Sequence, residues 1–192
     1  MKYICSLLFI IVTSLHAQQK SLNFSKENQT FIETHYGTIA IRRLNIIQKE
    51  INQLKENQSY LTKLQKINIL INKFHYKEDI YHWKKVDYWS SLIELIGTGM
   101  GDGEDFAMSK LFILTKLGFQ KSHFILLKNT DNNEIVLGYQ HRKNQKYIVL
   151  THTSNRLMVE DINFNPKYIK LNKSSKLIND NYNRMLENNT LK

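Results

Sequence analysis

At Gly118 the chain changes its apolar period, and that switch limits what it can fold into. Before it, apolar residues recur at three- and four-residue steps: Ile39, Leu44, Ile47, Ile51 and Leu54, then Leu61, Leu64, Ile67, Ile71 and Phe74. These spacings predict amphipathic helices over 38–54 and 61–74. A third helix is predicted over 104–117, with Phe106, Ala107, Leu111, Leu114 and Leu117 on its apolar side and Gly118 as its stop. After Gly118 come short β-type runs, "HFILLKN" (123–129), "EIVLGYQH" (134–141) and "KYIVLTH" (146–152), separated by the turn sequences "TDNN" and "RKNQ". Shorter strands are expected around "LMVE" and "KYIKL". Helices followed by an antiparallel meander specify the α+β class.

The ends carry less pattern. "MK", then "YICSLLFIIVTSL", then "LHA" before Gln18 has the layout of a secretory signal over residues 1–17. Its apolar run falls short of the roughly 20 residues that span a bilayer. The expected domain is then 18–172, opening with a polar lead-in over 18–35. Residues 173–192 form a polar tail with at most a loose helix. The single cysteine, Cys5, lies inside the signal. The mature chain is therefore expected to lack a thiol, which excludes disulfides, cysteine-based zinc sites and a cysteine nucleophile. A net charge of +10 invites a nucleic-acid reading. The lysines are scattered, however, and no basic run with interleaved aromatics occurs, so that footprint is missing.

The chemistry concentrates in "GTGMGDGEDF", 97–106. A phosphate loop needs a terminal Gly-Lys-Ser/Thr or a dinucleotide glycine spacing, and neither is present. The alternating acids and distal Glu of an EF-hand are absent too. Two readings remain: acids that cap the next helix, or a carboxylate loop for a hard cation.

The longer stretch "DYWSSLIELIGTGMGDGEDFAMSKLFILTKLGF" resembles the bacterial transglutaminase-like cysteine peptidases. Their signature looks like D-x-W-A-T-P-x-E, a glycine-rich turn, then G-D-C-E-D-Y-A-x-x-K and an apolar run ending in L-G. Asp87, Trp89, Glu94, Gly101, Asp102, Glu104, Asp105, Ala107, Lys110, Leu117 and Gly118 match it. The upstream "KLQKINILINKF" is also similar, and the resemblance extends over about 36–170. It implies a papain/transglutaminase-like core with the central helix packed on the sheet. Known members of the family are periplasmic, calcium-dependent proteases that clip surface adhesins.

The departures fall on the catalytic triad. The nucleophile's position, at the start of a helix whose potential favours a thiolate, holds Gly103. The base's position holds Glu134, and the orienting aspartate's position holds Thr151. The neighbouring His152 is expected to point to the other sheet face, because side chains alternate along a strand. His35, His75, His82, His123 and His141 show no metal-ligand spacing. A triad acts as a unit, so the expectation is a catalytically inactive homologue that binds a peptide or protein. The resemblance implies calcium as the cofactor, held by Asp102 and Glu104. It suggests as partner an adhesin or the periplasmic domain of an inner-membrane receptor, in the periplasm or outside the cell. The alternative is a hydrolase in which Glu134 acts as general base beside an acidic metal rim. A third reading, purely structural, turns on whether an open groove lined by Trp83, Trp89 and Tyr139 exists.

Overall fold

The computed structural model describes residues 22–54, 56–143, 145–164, 167–171 and 174–189. The signal segment expected at 1–17, with Cys5, lies outside the described residues. Helices α1 (Lys26–Tyr36), α2 (Thr38–Asn52) and α3 (Tyr60–Ile71) come first. Strand β1 (His75–Tyr76), helices α4 (Asp79–His82) and α5 (Leu92–Thr98), and strand β2 (Met100–Gly101) lead into helix α6 (Gly103–Lys116). Strands β3 (Phe124–Asn129), β4 (Ile135–Tyr139), β5 (Tyr147–Leu150), β6 (Met158–Glu160) and β7 (Tyr168–Lys170) follow, and α7 (Ser174–Asn189) closes the chain.

The α+β expectation holds, and each helix has a local cause. In α2 the buried residues Ala40, Leu44, Ile47 and Ile51 form the stripe that periodicity marks, while Ile39 at its start is 65% exposed. Helix α3 starts where Ser59 Oγ accepts from Thr62 N at 3.1 Å, and it buries Leu64, Ile67, Leu70 and Ile71. Helix α1 occupies the stretch expected to be a polar lead-in. Ser25 Oγ accepts from Asn28 N at 3.2 Å, and α1 buries only Asn28 and Ile32, too few apolar anchors to make a visible stripe. Ahead of it, Leu22 N donates to Asn52 Oδ1 at 3.0 Å and Phe24 N to Gln48 Oε1 at 3.1 Å, fastening the lead-in to α2.

Helix α6 is the centre of the molecule. Eleven of its 14 residues are buried, which is the signature of a helix enclosed on all sides. One side meets α3 and α5, and another meets β4. The sheet beneath it is antiparallel throughout, in the order β6-β5-β4-β3-β7. Leu126 pairs with Leu137 and Leu127 with Val136. Side chains alternate across the pleat. Phe124, Leu126, Leu137, Tyr139, Ile148 and Leu150 therefore join the main core under α6, while Ile125, Leu127, Val136, Val149 and Tyr168 form a second cluster on the opposite face.

Helix α7 packs against α6, α5 and β3. Ile178 and Met185 are buried in the main core, and Tyr182 Oη receives a hydrogen bond from Thr115 Oγ1 at 2.9 Å. The Arg184 guanidinium donates to the Trp89 carbonyl.

Candidate functional site: a carboxylate rim beside a closed helix start

Two short pieces of backbone build the site. Strand β2 runs parallel to β1, with His75 opposite Met100 and Tyr76 opposite Gly101. Two residues later α6 begins, with Asp102 at its N-cap in extended backbone and Gly103 as its first residue. Ser91 caps α5 immediately upstream. Its Oγ accepts from Glu94 N at 3.2 Å, and Glu94 Oε2 accepts from Ser91 N at 2.7 Å. Glu94 Oε1 also accepts from Tyr88 Oη at 2.7 Å. The motif residue Glu94 is thus a capping-box and bracing residue.

The acids divide by role. Asp105 is fully buried and holds two turns together, accepting from Ser90 N at 2.6 Å and from Asp102 N at 3.4 Å. Asp102 and Glu104 do not stand alone. One carboxylate oxygen from each of Asp79, Asp102 and Glu104 lies within 4.8 Å of the others. Asp79 sits in the first turn of α4, and its Oδ2 accepts from Tyr88 N. Asp79 Oδ1 and Asp102 Oδ1 are buried with no hydrogen-bond partner. Two orphaned carboxyl oxygens in one cluster fit a hard cation with oxygen ligands, so the donor set suits calcium or a similar ion. Asp79 escapes a sequence search because it lies 23 positions before Asp102 in an unremarkable "EDIYH".

Electrostatics agree with that geometry. Burial, then the charges of Glu104, Asp105 and Asp79, push the Asp102 carboxyl up to about 9. Burial likewise raises Glu104 and Asp79, and brings Asp105 to about 7. Burial and mutual repulsion thus favour the protonated acids unless a cation balances their charge.

Of the three positions at which the resemblance expects a triad, Gly103 and Glu134 lie together, and His152 rather than Thr151 stands beside Glu134. Gly103 lies against the start of β4. A β-carbon built there stands 2.9 Å from the Ile135 carbonyl oxygen, 3.2 Å from Ile135 N and 3.5 Å from Glu134 Cβ. The volume that a nucleophile's side chain needs is filled by strand backbone. Glu134 is half-buried. Its Oε2 accepts from Asn132 Nδ2 at 2.7 Å, and it also bonds Tyr76. Its Oε1 stands 3.4 Å from His152 Nε2.

The expectation that His152 points to the opposite sheet face is overturned. Strand β5 ends at Leu150, so pleat alternation does not extend to residue 152. Thr151 is buried, and its carbonyl accepts from the fully buried Lys110 Nζ at 3.1 Å and from Asn72 Nδ2 at 2.9 Å. That anchoring turns His152 inward, where its ring stacks on Tyr76 at 4.9 Å and lies 5.6 Å from Phe106. Burial, with Lys110 close by, takes the imidazole down to about 4. At neutral pH the Glu134–His152 contact is therefore a carboxyl group beside a neutral ring.

The groove sought between Trp83, Trp89 and Tyr139 does not form. Tyr139 is buried with Phe119 and Phe124, whereas Trp83 packs on His82 and Tyr88 and Trp89 sits beside α7.

Comparison with known proteins follows the geometry. The chain is similar in structure to Legionella pneumophila LapG, with 21% identity and a TM-score of 0.69 over 88% of this chain and 99% of that one. Calcium-bound LapG gives 24% identity and a TM-score of 0.62 over 75% of this chain and 80% of that one. EGTA-treated LapG gives 23% and 0.63 over 78% and 81%. These likenesses establish the fold. No curated protein sequence matches. Among the described residues no helix is long and apolar enough to cross a membrane. The profile of the bacterial transglutaminase-like cysteine proteinases matches residues 35–155, well over half of the 192 residues. The chain belongs to that family.

Proposed function

We propose that this protein is an exported, non-cutting member of its family that binds a peptide or protein partner, with calcium held on the rim of Asp79, Asp102 and Glu104. The observation that carries the first half is the contact at Gly103. No nucleophile stands there, and the Ile135 backbone fills the volume one would need. The orphaned oxygens of Asp79 and Asp102 support the second half. Solved LapG structures with calcium and after EGTA treatment support calcium as the ion. Calcium would neutralise the clustered carboxylates and fix the β2–α6 corner and α4 as one surface. The partner class is an adhesin segment or the periplasmic domain of a membrane receptor, met in the periplasm or outside the cell.

Titration calorimetry tests this reading. The wild-type chain should bind calcium saturably, and Asp79→Ala, Asp102→Ala and Glu104→Ala should each abolish the signal. No heat from the folded wild type would remove calcium from the proposal. Thiol-inhibitor-sensitive peptide cleavage by the chain freed of residues 1–17 would remove the non-cutting half.

A second reading has one observation in its favour. Glu134 is held by Asn132 and Tyr76 beside a neutral imidazole, an arrangement able to orient a water. Chelator-sensitive hydrolysis lost in Glu134→Gln would establish it.

A further inference from the structure

Behind the two-stranded β1–β2 sheet, on the side away from His152, lies a cavity of about 400 Å³. That is within the usual range for small-molecule sites. Ile46, Ile47, Leu70, Phe74 and Met100 supply an apolar lining. Its charged groups are Arg43 and Lys73, with His75 beside them, and no carboxylate lines it. The two faces of β1 divide the work: His75 lines this cavity, whereas Tyr76 stacks on His152.

Arg43 is the informative residue. Its Nη1 donates to the carbonyls of Ile96 and Gly97, both at 2.7 Å, at the C-terminal end of α5. Those bonds fix the guanidinium plane, and Gly99 leaves it room. A β-carbon at residue 99 would stand 2.8 Å from Arg43 Cζ. The remaining donors, Nε and Nη2, make no hydrogen bond among the described residues, and neither Arg43 nor Lys73 has an acidic partner there. A guanidinium with its Nε and Nη2 edge free, immobilised at an apolar cavity, has the geometry for a carboxylate.

We infer that this cavity binds a small carboxylate with an apolar tail, such as a medium-chain fatty acid. The apolar body occupies the Ile46, Leu70 and Met100 side, and the carboxylate pairs with Arg43 and Lys73. This site is separate from the calcium rim, and the inference holds whether or not that rim binds an ion.

The test uses the folded wild-type chain, titrated by calorimetry with decanoate and, separately, with decanol. The carboxylate should bind about tenfold or more tighter, as a charge-assisted pair requires. Lys73→Glu, an exposed substitution, should cancel that preference while leaving decanol binding within about twofold. Ile46→Glu, at the mouth, should weaken both ligands. Backbone amide shifts on titration should centre on residues 43–47, 70–75 and 98–100. Absence of decanoate binding, equal affinity for the two ligands, indifference to Lys73→Glu, or shifts centred elsewhere would each overturn the inference. Because calcium titration reads a different set of variants, its outcome is independent of this one.

Discussion

Nε2 of His152 stands 3.4 Å from Oε1 of Glu134. The pair brings a carboxyl group and an imidazole together beside the start of α6, because Glu134 also lies against Gly103. The imidazole stands beyond the end of β5.

The imidazole should stay neutral far into acid. A histidine titration by NMR is expected to place His152 near 4, held down by burial and by Lys110. A folded-state pKa below the unfolded value stabilises above about 6.5 and loses that stabilisation as pH falls towards 4. With solvent screening allowed for, the loss is on the order of 1–2 kcal/mol. His152→Gln should flatten the dependence in that window. A His152 signal titrating near 6.5 would contradict the inward placement.

The rim acids should act in the opposite direction. Asp102, raised to about 9, binds more protons folded than unfolded, so its contribution falls as pH rises between about 4 and about 9. Lys110, driven well below its usual range by burial, opposes this in the total. The clean measurement is therefore a difference. In chelator, Asp102→Asn should gain stability over wild type progressively from pH 5 to pH 9, by on the order of 1–2 kcal/mol after screening. Calcium should erase that gain by favouring the wild-type carboxylate. An Asp102→Asn difference that does not change with pH would refute the buried, protonated rim.

Gly103→Ala should destabilise. Replacing a glycine inside a helix by alanine ordinarily gains a few tenths to about 1 kcal/mol. Here the new methyl meets the Ile135 carbonyl oxygen at 2.9 Å, and backbone cannot swing aside as a side-chain tip can. The expected cost is about 1–3 kcal/mol, read as a lower denaturant midpoint with unchanged slope. A stability gain would mean that the strand yields.

The C-terminal helix should be part of the cooperative fold. Met185 is 1% exposed in the main core, so Met185→Ala should cost about 2–4 kcal/mol. Chemical denaturation with a single transition, shifted by that substitution, is the expected result. Unchanged stability would show that α7 folds apart from the body.

What could be read from the sequence follows from where the information lies. Helices α2 and α3 announce themselves through Leu44, Ile47, Leu64 and Ile67, because one side of each repeatedly meets the core, and α6 through its long apolar run closed by Gly118. The meander follows from its turn residues. Helix α1 stays hidden because its burial rests on Asn28 and Ile32, and α7 because a mostly polar sequence carries only a few anchors such as Ile178 and Met185. Within the site, Asp102 and Glu104 are local and visible, but Asp79 and Tyr76 are supplied by chain folded back from upstream. Proximity across such a gap has no sequence signature. His152 was misplaced for a different reason: alternation is a rule about strands, and the strand stops two residues earlier.

Gly103 has one more consequence, for reversibility. In an enzyme that has merely lost its nucleophile, one codon change can bring the side chain back. Here the β4 backbone occupies the space where a side chain would grow, so a cysteine introduced at residue 103 would collide with the sheet. Accommodating it would require the β3–β4 turn to be remade as well as the residue, two coordinated changes with an unstable intermediate between them. On the proposed non-cutting reading the fold would work as a ratchet, with binding easier for selection to tune than cutting.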